Sequence, residues 1–283
     1  MTERLDLAGR TVFITGPARG IGRETALRAA RRGANLALAG LEPDRLRELA
    51  TRIGSDHAAW FEADVRDWRS LEKAVVGAVE RFGRIDVVVA NAGIAPVGLV
   101  QTIDPSDFER TIDVDLLGVW RTVRLALPHV VERGGHVLAL ASMAAAMHLP
   151  LMSAYASAKA GVSAFVDSLR MELDGTGTSV GCAYFSFIDT DMTRDALEEP
   201  DARAARRAGG RAFRPRPLPV ERAGRAIVRG IERRSRWIVL PRSHRVALVA
   251  PAPFQRIVEV GARRLRLAAE LRATTPVEGA DDE

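Results

Sequence analysis

The amino-acid sequence predicts an α/β protein with a doubly wound, parallel, seven-stranded sheet and helices on both faces. Three observations lead there. Short apolar, β-branched runs alternate with stretches of helical period from the start of the chain, the pattern of strands covered on both sides by crossover helices. A glycine-rich turn separates the first apolar run from the first helical stretch. The 283 residues, 47% of them hydrophobic, suffice for one large α/β domain with a substantial core.

The expected strands are 11–15 (Thr-Val-Phe-Ile-Thr), 35–39, 58–62, 85–90, 136–141, 179–185 and 237–240. Apolar and β-branched residues dominate these runs. Between them, helical periodicity places helices at 21–32, 43–53, 68–82, 105–132, 153–173 and 220–233. Pro and Arg cluster at 211–219, so an irregular insertion is expected near 198–219. Residues 1–245 read as one catalytic domain and 246–283 as a basic, amphipathic extension with an acidic, disordered end. In such a fold, ligands bind beyond the carboxyl ends of the strands.

Composition narrows the function classes. The single cysteine, Cys182, cannot form an internal disulfide, which fits a reducing, cytoplasmic setting. The first residues carry no charged-then-apolar leader, and no run of about 18 apolar residues occurs, so a soluble protein is expected. None of the five histidines is spaced with Cys, Asp or Glu as metal ligands are, so no metal is expected. Residues 200–283 hold 19 Arg against 9 acidic residues, whereas the rest of the chain is mildly acidic. A general preference for arginine accounts for that excess without a nucleic-acid partner. Only Lys73 and Lys159 among the 41 basic residues are lysines, which raises the question of what arginine could not do there.

Two constellations carry chemistry. In Thr15-Gly16-Pro17-Ala18-Arg19-Gly20-Ile21-Gly22, glycines let the backbone turn sharply and approach a pyrophosphate, while the helix start supplies unpaired N–H groups and positive potential. Tyr155 and Lys159, four residues apart on an expected helix, share one face. A phenol with a pKa of about 10 needs help to act as an acid/base near neutrality, and an ammonium beside it favours the phenolate. Lysine's compact charge on a flexible stem also suits a ribose hydroxyl better than a planar guanidinium does. Ser142, thirteen residues before Tyr155 at the end of the fifth strand, offers a hydroxyl for the substrate oxygen.

In these motifs the chain resembles the short-chain dehydrogenase/reductase family, in its single-domain branch with a Rossmann-type fold. The resemblance spans roughly residues 8–192. It implies that Asn91-Ala92-Gly93 stabilises the sheet near the adenine ribose and that Asp64-Val65 contacts the adenine ring. It assigns Gly16, Arg19, Gly20, Ile21, Gly22, Ile188 and Thr190 to the cofactor, with Thr190 meeting the carboxamide, and Tyr155 and Lys159 to both cofactor and catalysis. The reaction it implies is hydride transfer between a nicotinamide and an alcohol or carbonyl, with Tyr155 as acid/base, Lys159 sustaining its acidity and Ser142 polarising the same oxygen.

The chain departs from the family pattern in three places. Asp115 stands three residues before Gly118 where the family has asparagine, which implies a proton relay based on an acceptor. Phe185-Ser186 replaces Pro-Gly after the sixth strand. At the end of the second strand, Gly40 and Leu41 replace the acid of NAD-preferring relatives. With Arg19 available to a 2′-phosphate, NADP(H) is favoured over NAD(H), although Glu42 can swing inward against it.

The segment Met143 to Met152 is apolar and sulfur-rich. It reads equally as the wall of a site for an apolar alcohol or carbonyl substrate and as core beneath the loop. In the extension, Phe254, Ile257, Val258, Gly261, Leu265 and Ala268 fall on one helical face flanked by arginines. That face is expected to pack on protein rather than on an anionic membrane surface, and a homodimer or homotetramer is expected. The rival reading is a sensor or scaffold that binds the cofactor but turns over weakly or not at all.

Overall fold

The computed structural model describes residues 4–208 and 216–264. Strands β1 (Thr11–Thr15), β2 (Asn35–Gly40), β3 (Ala58–Glu62), β4 (Val87–Ala90), β5 (His136–Leu140), β6 (Ser179–Phe185) and β7 (Trp237–Leu240) form one parallel sheet in the order β3-β2-β1-β4-β5-β6-β7. The strand order reverses between β1 and β4, which opens a crevice at their carboxyl ends, where a doubly wound fold binds its ligand. Val12 pairs with Leu36 on one side and Val87 on the other.

The period of two along β1 feeds two layers. Val12 and Ile14 face the layer of α1 (Gly20–Ala30), α2 (Pro43–Ile53) and α9 (Val220–Glu232), with Leu27, Leu46 and Ile227 in that core. Phe13 faces the opposite layer of α3 (Trp68–Phe82), α5 (Gly118–Glu132) and α6 (Ser153–Glu172), with Leu71, Val123 and Val162. The remaining helices are α4 (Pro105–Ile112), α7 (Asp191–Glu198), α8 (Pro200–Ala208), α10 (Arg245–Val249) and α11 (Pro251–Arg264). No helix among the described residues is long and apolar enough to cross a membrane.

Four expectations need correction. The strand expected from residue 85 starts at Val87, because the Asp86 side chain is held by Arg10 at 2.9 Å, by Arg84 and by the Thr11 N–H at 2.9 Å. The helix expected over 105–132 is broken by a π turn, Asp113–Leu117, in which the Gly118 N–H donates to the Asp113 carbonyl. One wide turn of this kind rotates the residues inside it and is common at functional positions. The insertion expected to be irregular over 198–219 begins with helix α8, and Ala204 and Ala205 are buried on it; its residues 209–215 lie outside the described residues.

The apolar face of the extension is also rotated. Phe254, Val258, Gly261 and Ala262 are partly covered, whereas Ile257 is 65% exposed and Val260 40%. Contacts near the start and end of α11 set that rotation: Gln255 bonds the main chain at His148, and Ala262 joins an apolar cluster around Leu151. Leu265, Ala268 and the acidic end lie outside the described residues.

Candidate active site

The glycine loop closes against the end of β4. Gly16 and Gly20 have φ of 67° and 56°, the left-handed region open to glycine. A Cβ on Gly16 would stand 2.9 Å from Ala92 Cα, and one on Gly22 would stand 2.5 Å from both the Gly16 carbonyl and Asn91 Nδ2. Asn91 is the clamp. Its Nδ2 donates to the carbonyls of Thr15 and Gly16, both at 2.9 Å, and its N–H donates to Thr15 Oγ1 at 3.2 Å.

Helix α1 begins at Gly20 with neither a side-chain cap nor an acid in its first turn. Its first N–H groups and positive dipole end are therefore left to an anion, and a pyrophosphate fits this cradle. Ile21 packs on the core beneath the turn. The methyl of Thr190 would lie 3.3 Å from a Cβ on Gly20, so the loop after β6 borders the turn. The Thr190 hydroxyl caps α7 by accepting from the Thr193 N–H. The Ile188 side chain is buried in the core, and its carbonyl accepts from the Thr190 hydroxyl at 3.4 Å.

At the end of β3, Arg66 holds both oxygens of Asp64. That hydrogen bonding keeps the carboxyl below its usual range despite partial burial. Val65 is buried against Gly118, where any side chain would meet it at 2.7 Å. At the end of β2, the Gly40–Leu41 pair presents no acid. Glu42, the first acid beyond it, is shared by Arg19 and Arg45, each at 3.3 Å.

The structure brings Ser142, Tyr155, Lys159 and Asp115 together. Ser142 accepts from the Ala144 N–H at 3.1 Å and donates to the Phe185 carbonyl at 3.3 Å. Phe185 ends β6, and the Ser186 N–H donates to the Leu240 carbonyl at 2.8 Å, so the pair that replaces Pro-Gly stays bonded to β7. Lys159 Nζ lies 5.5 Å from the centroid of the half-buried Tyr155 ring and donates to the Leu140 carbonyl at 3.0 Å. It also stands 3.0 Å from Asp115 Oδ2, while Asp115 Oδ1 accepts from the Ile94 N–H at 2.8 Å. Lys159 is 4% exposed and Asp115 fully buried, so this is an ion pair away from water. A Cβ on Gly93 would meet Asp115 Oδ2 at 2.9 Å, which is why glycine is needed there.

The electrostatics follow from this burial. Desolvation raises the Asp115 carboxyl, opposed by Lys159 and the Ile94 N–H. Burial opposes charge on Lys159, but Asp115 and Tyr155 outweigh it and raise its pKa. Burial likewise raises the Tyr155 phenol, with Lys159 pulling down, Asp115 pushing up and a Ser142 hydrogen bond pulling down. The chain can thus keep Tyr155 protonated at neutrality, as a general acid requires, and has a cation in place to stabilise the phenolate left behind. Cys182 is a buried thiol pushed up to about 11 by desolvation, and such a thiol is a poor nucleophile.

Sequence reasoning missed three participants. Arg45 shares Glu42 with Arg19, the Leu140 carbonyl shares Lys159 with Asp115, and Gln255 reaches His148 across 107 residues. Only Arg45 carried a local signal, being three residues from Glu42 on a helix.

Comparison with known proteins agrees with this fold. The family model described as short chain dehydrogenase matches residues 10–201. The chain is 32% identical over 254 residues to 11-beta-hydroxysteroid dehydrogenase A of Sesamum indicum, covering 85% of this chain and 71% of that protein. Its fold is similar to a short chain dehydrogenase/reductase from Burkholderia phymatum in complex with NAD, at TM-score 0.77 and 22% identity over 90% of this chain and 96% of the other. It is also similar to an alcohol dehydrogenase from the archaeon Thermococcus sibiricus complexed with 5-hydroxy-NADP, at TM-score 0.70 and 27% identity over 82% and 95%. With the glycine cradle and the Ser–Tyr–Lys group now placed at one end of the sheet, the chain belongs to the short chain dehydrogenase family and is an NAD(P)-dependent dehydrogenase or reductase acting on alcohols and carbonyls.

Proposed function

We propose that the protein interconverts an apolar alcohol with its ketone or aldehyde, using NADP(H) in preference to NAD(H). A nicotinamide bound beyond the glycine cradle supplies or accepts the hydride. Tyr155 gives its proton to the substrate oxygen in reduction and takes it back in oxidation. Ser142 holds that oxygen, Lys159 stabilises the phenolate, and Asp115 holds Lys159 in place. The observation that carries this reading is the buried Lys159 ammonium beside the Tyr155 ring. An apolar substrate is supported by Met147, which lines the loop before Tyr155 and is only partly buried, and by the steroid named for the sesame relative. Cofactor consumption against a panel of apolar ketones, aldehydes and their alcohols tests it.

The two structural neighbours divide between NAD and NADP, so cofactor preference rests on this chain's own residues. Glu42, the acid nearest the expected 2′-position, is neutralised by Arg19 and Arg45, and the corner is net positive. NADPH is expected to bind about fivefold more tightly than NADH, a charge-assisted contact discounted for exposure. Arg19→Ala narrows the gap in a titration of both cofactors; a clear NADH preference in the unmodified chain contradicts the reading.

We further assign a homo-oligomer through the face shared by α3 and α5. Trp68 and Trp120 pair there at 5.5 Å and stay 37% and 41% exposed beside the exposed Leu117. A paired aromatic patch of this kind suits a second copy of the chain. Trp120→Arg is expected to shift the protein to monomer in light scattering, and an unchanged mass contradicts the assignment. A cytoplasmic setting is supported by the lone buried Cys182. Residues 1–245 are assigned as the catalytic domain and 246–283 as its extension.

A further inference from the structure

Helix α11 does not lie apart from the catalytic end of the sheet. Phe254 packs against the core cluster that contains Met143 of the loop between Ser142 and Tyr155, and Ala145 and Met147 of that loop pack against the same cluster. Gln255 satisfies both main-chain groups of one residue on that loop, His148. Its Oε1 accepts from the His148 N–H at 2.9 Å, and its Nε2 donates to the His148 carbonyl at 3.4 Å. Further along, Ala262 joins Leu151, Ala202, Ala205, Val97 and Leu99 in a small apolar cluster. Four separate parts of the chain therefore meet there: α11, α8, the segment after β4 and the loop before Tyr155.

The loop needs this support. Leu151, four residues before Tyr155, has φ of 71°, a left-handed conformation that costs a leucine free energy and persists only where its surroundings enforce it. Its carbonyl accepts from the Gly98 N–H at 3.0 Å, and its side chain is buried in the cluster that Ala262 helps to close. The contacts α11 makes thus fall on the segment between Ser142 and Tyr155, and the surfaces it brings together around Leu151 are apolar.

Resting on the oxidoreductase reading, we propose that α11 is a wall of the substrate pocket, latched by Gln255 to the main chain of His148. As such it sets selectivity for the apolar part of the substrate remote from the reacting carbon. Gln255 is a positioning residue in this account: it touches the loop, and the loop touches the substrate. An amide side chain that matches both the main-chain donor and the main-chain acceptor of a single residue fixes register as well as proximity, which a purely apolar contact would not do.

The test uses the full chain and Gln255→Leu, which keeps bulk but removes both hydrogen bonds. Hydrogen exchange at the His148 amide is expected to quicken about fivefold or more, since about one hydrogen bond's stability is lost there. With cyclohexanone and the bulkier 2-decalone as probes, the ratio of kcat/KM for 2-decalone over cyclohexanone is expected to fall about fivefold. Unchanged His148 exchange overturns the latch, and an unchanged or raised ratio overturns the wall. Should the unmodified chain reduce neither ketone nor any other carbonyl, the oxidoreductase reading fails instead, and exchange alone then decides the latch.

Discussion

Tyr155→Phe is expected to lower kcat/KM by about a thousandfold or more while NADPH binds within about twofold of its original affinity. The phenyl ring keeps the packing and the face presented to Lys159, so the change removes only the transferable proton. Among the described residues, the polar groups nearest to it are already engaged. Ser142 is engaged with the Phe185 carbonyl and the Ala144 N–H, and Lys159 is committed to Asp115 and the Leu140 carbonyl. Single-turnover rates beside a cofactor titration check this, and activity within tenfold of the original would remove Tyr155 from the mechanism.

Asp115→Leu is the second large effect. It leaves the Lys159 ammonium buried with the Leu140 carbonyl as its remaining acceptor and orphans the Ile94 N–H. Removing one partner of a buried pair costs about 3 kcal/mol, so the melting temperature falls and most activity goes with it. Asp115→Asn separates charge from shape. Its Oδ1 can face either Lys159 or the Ile94 N–H, while its amide must face the other donor. A loss of about 1 kcal/mol of stability is expected, with activity kept within about tenfold.

The sign of the pH effect follows from the charges. Asp115 raises the Tyr155 pKa, so removing its negative charge lowers that pKa while Lys159 stays cationic. Oxidation needs the phenolate and rises with pH through that pKa, so its acidic limb moves to lower pH in Asp115→Asn. An upward shift, or equal tolerance of Leu and Asn, would make the position merely structural.

The elements that could be read from sequence were those set by local pattern. Thr11–Thr15 and Ser179–Phe185 are continuous buried runs, and a parallel sheet demands such runs. Tyr155 and Lys159 were legible because i and i+4 share a helix face, and the glycine loop because backbone crowding at Gly16 and Gly22 excludes every other residue. What was not legible depends on partners far along the chain. Helical period continues through Asp113–Leu117, and the wide turn there goes with contacts of Asp115 to Lys159 and to the Ile94 N–H, both distant in sequence. Nothing in the local pattern of α11 tells Ile257 from Ala262; the main chain of His148 and the Leu151 cluster decide which one faces inward. Asp115 itself was visible as a departure, but that it holds the Ile94 N–H as well as Lys159 was not.

The central claim is that this chain moves a hydride to a carbonyl carbon with a proton from Tyr155, rather than merely holding a nicotinamide as a sensor or scaffold would. The most direct measurement supplies NADPH deuterated at both C4 positions with apolar cyclic ketones and reads the alcohol product by mass spectrometry. The account predicts one deuterium on the carbinol carbon with the unmodified protein and almost none with Tyr155→Phe. Tight cofactor binding without deuterium in any product, across ketones and aldehydes alike, would contradict it.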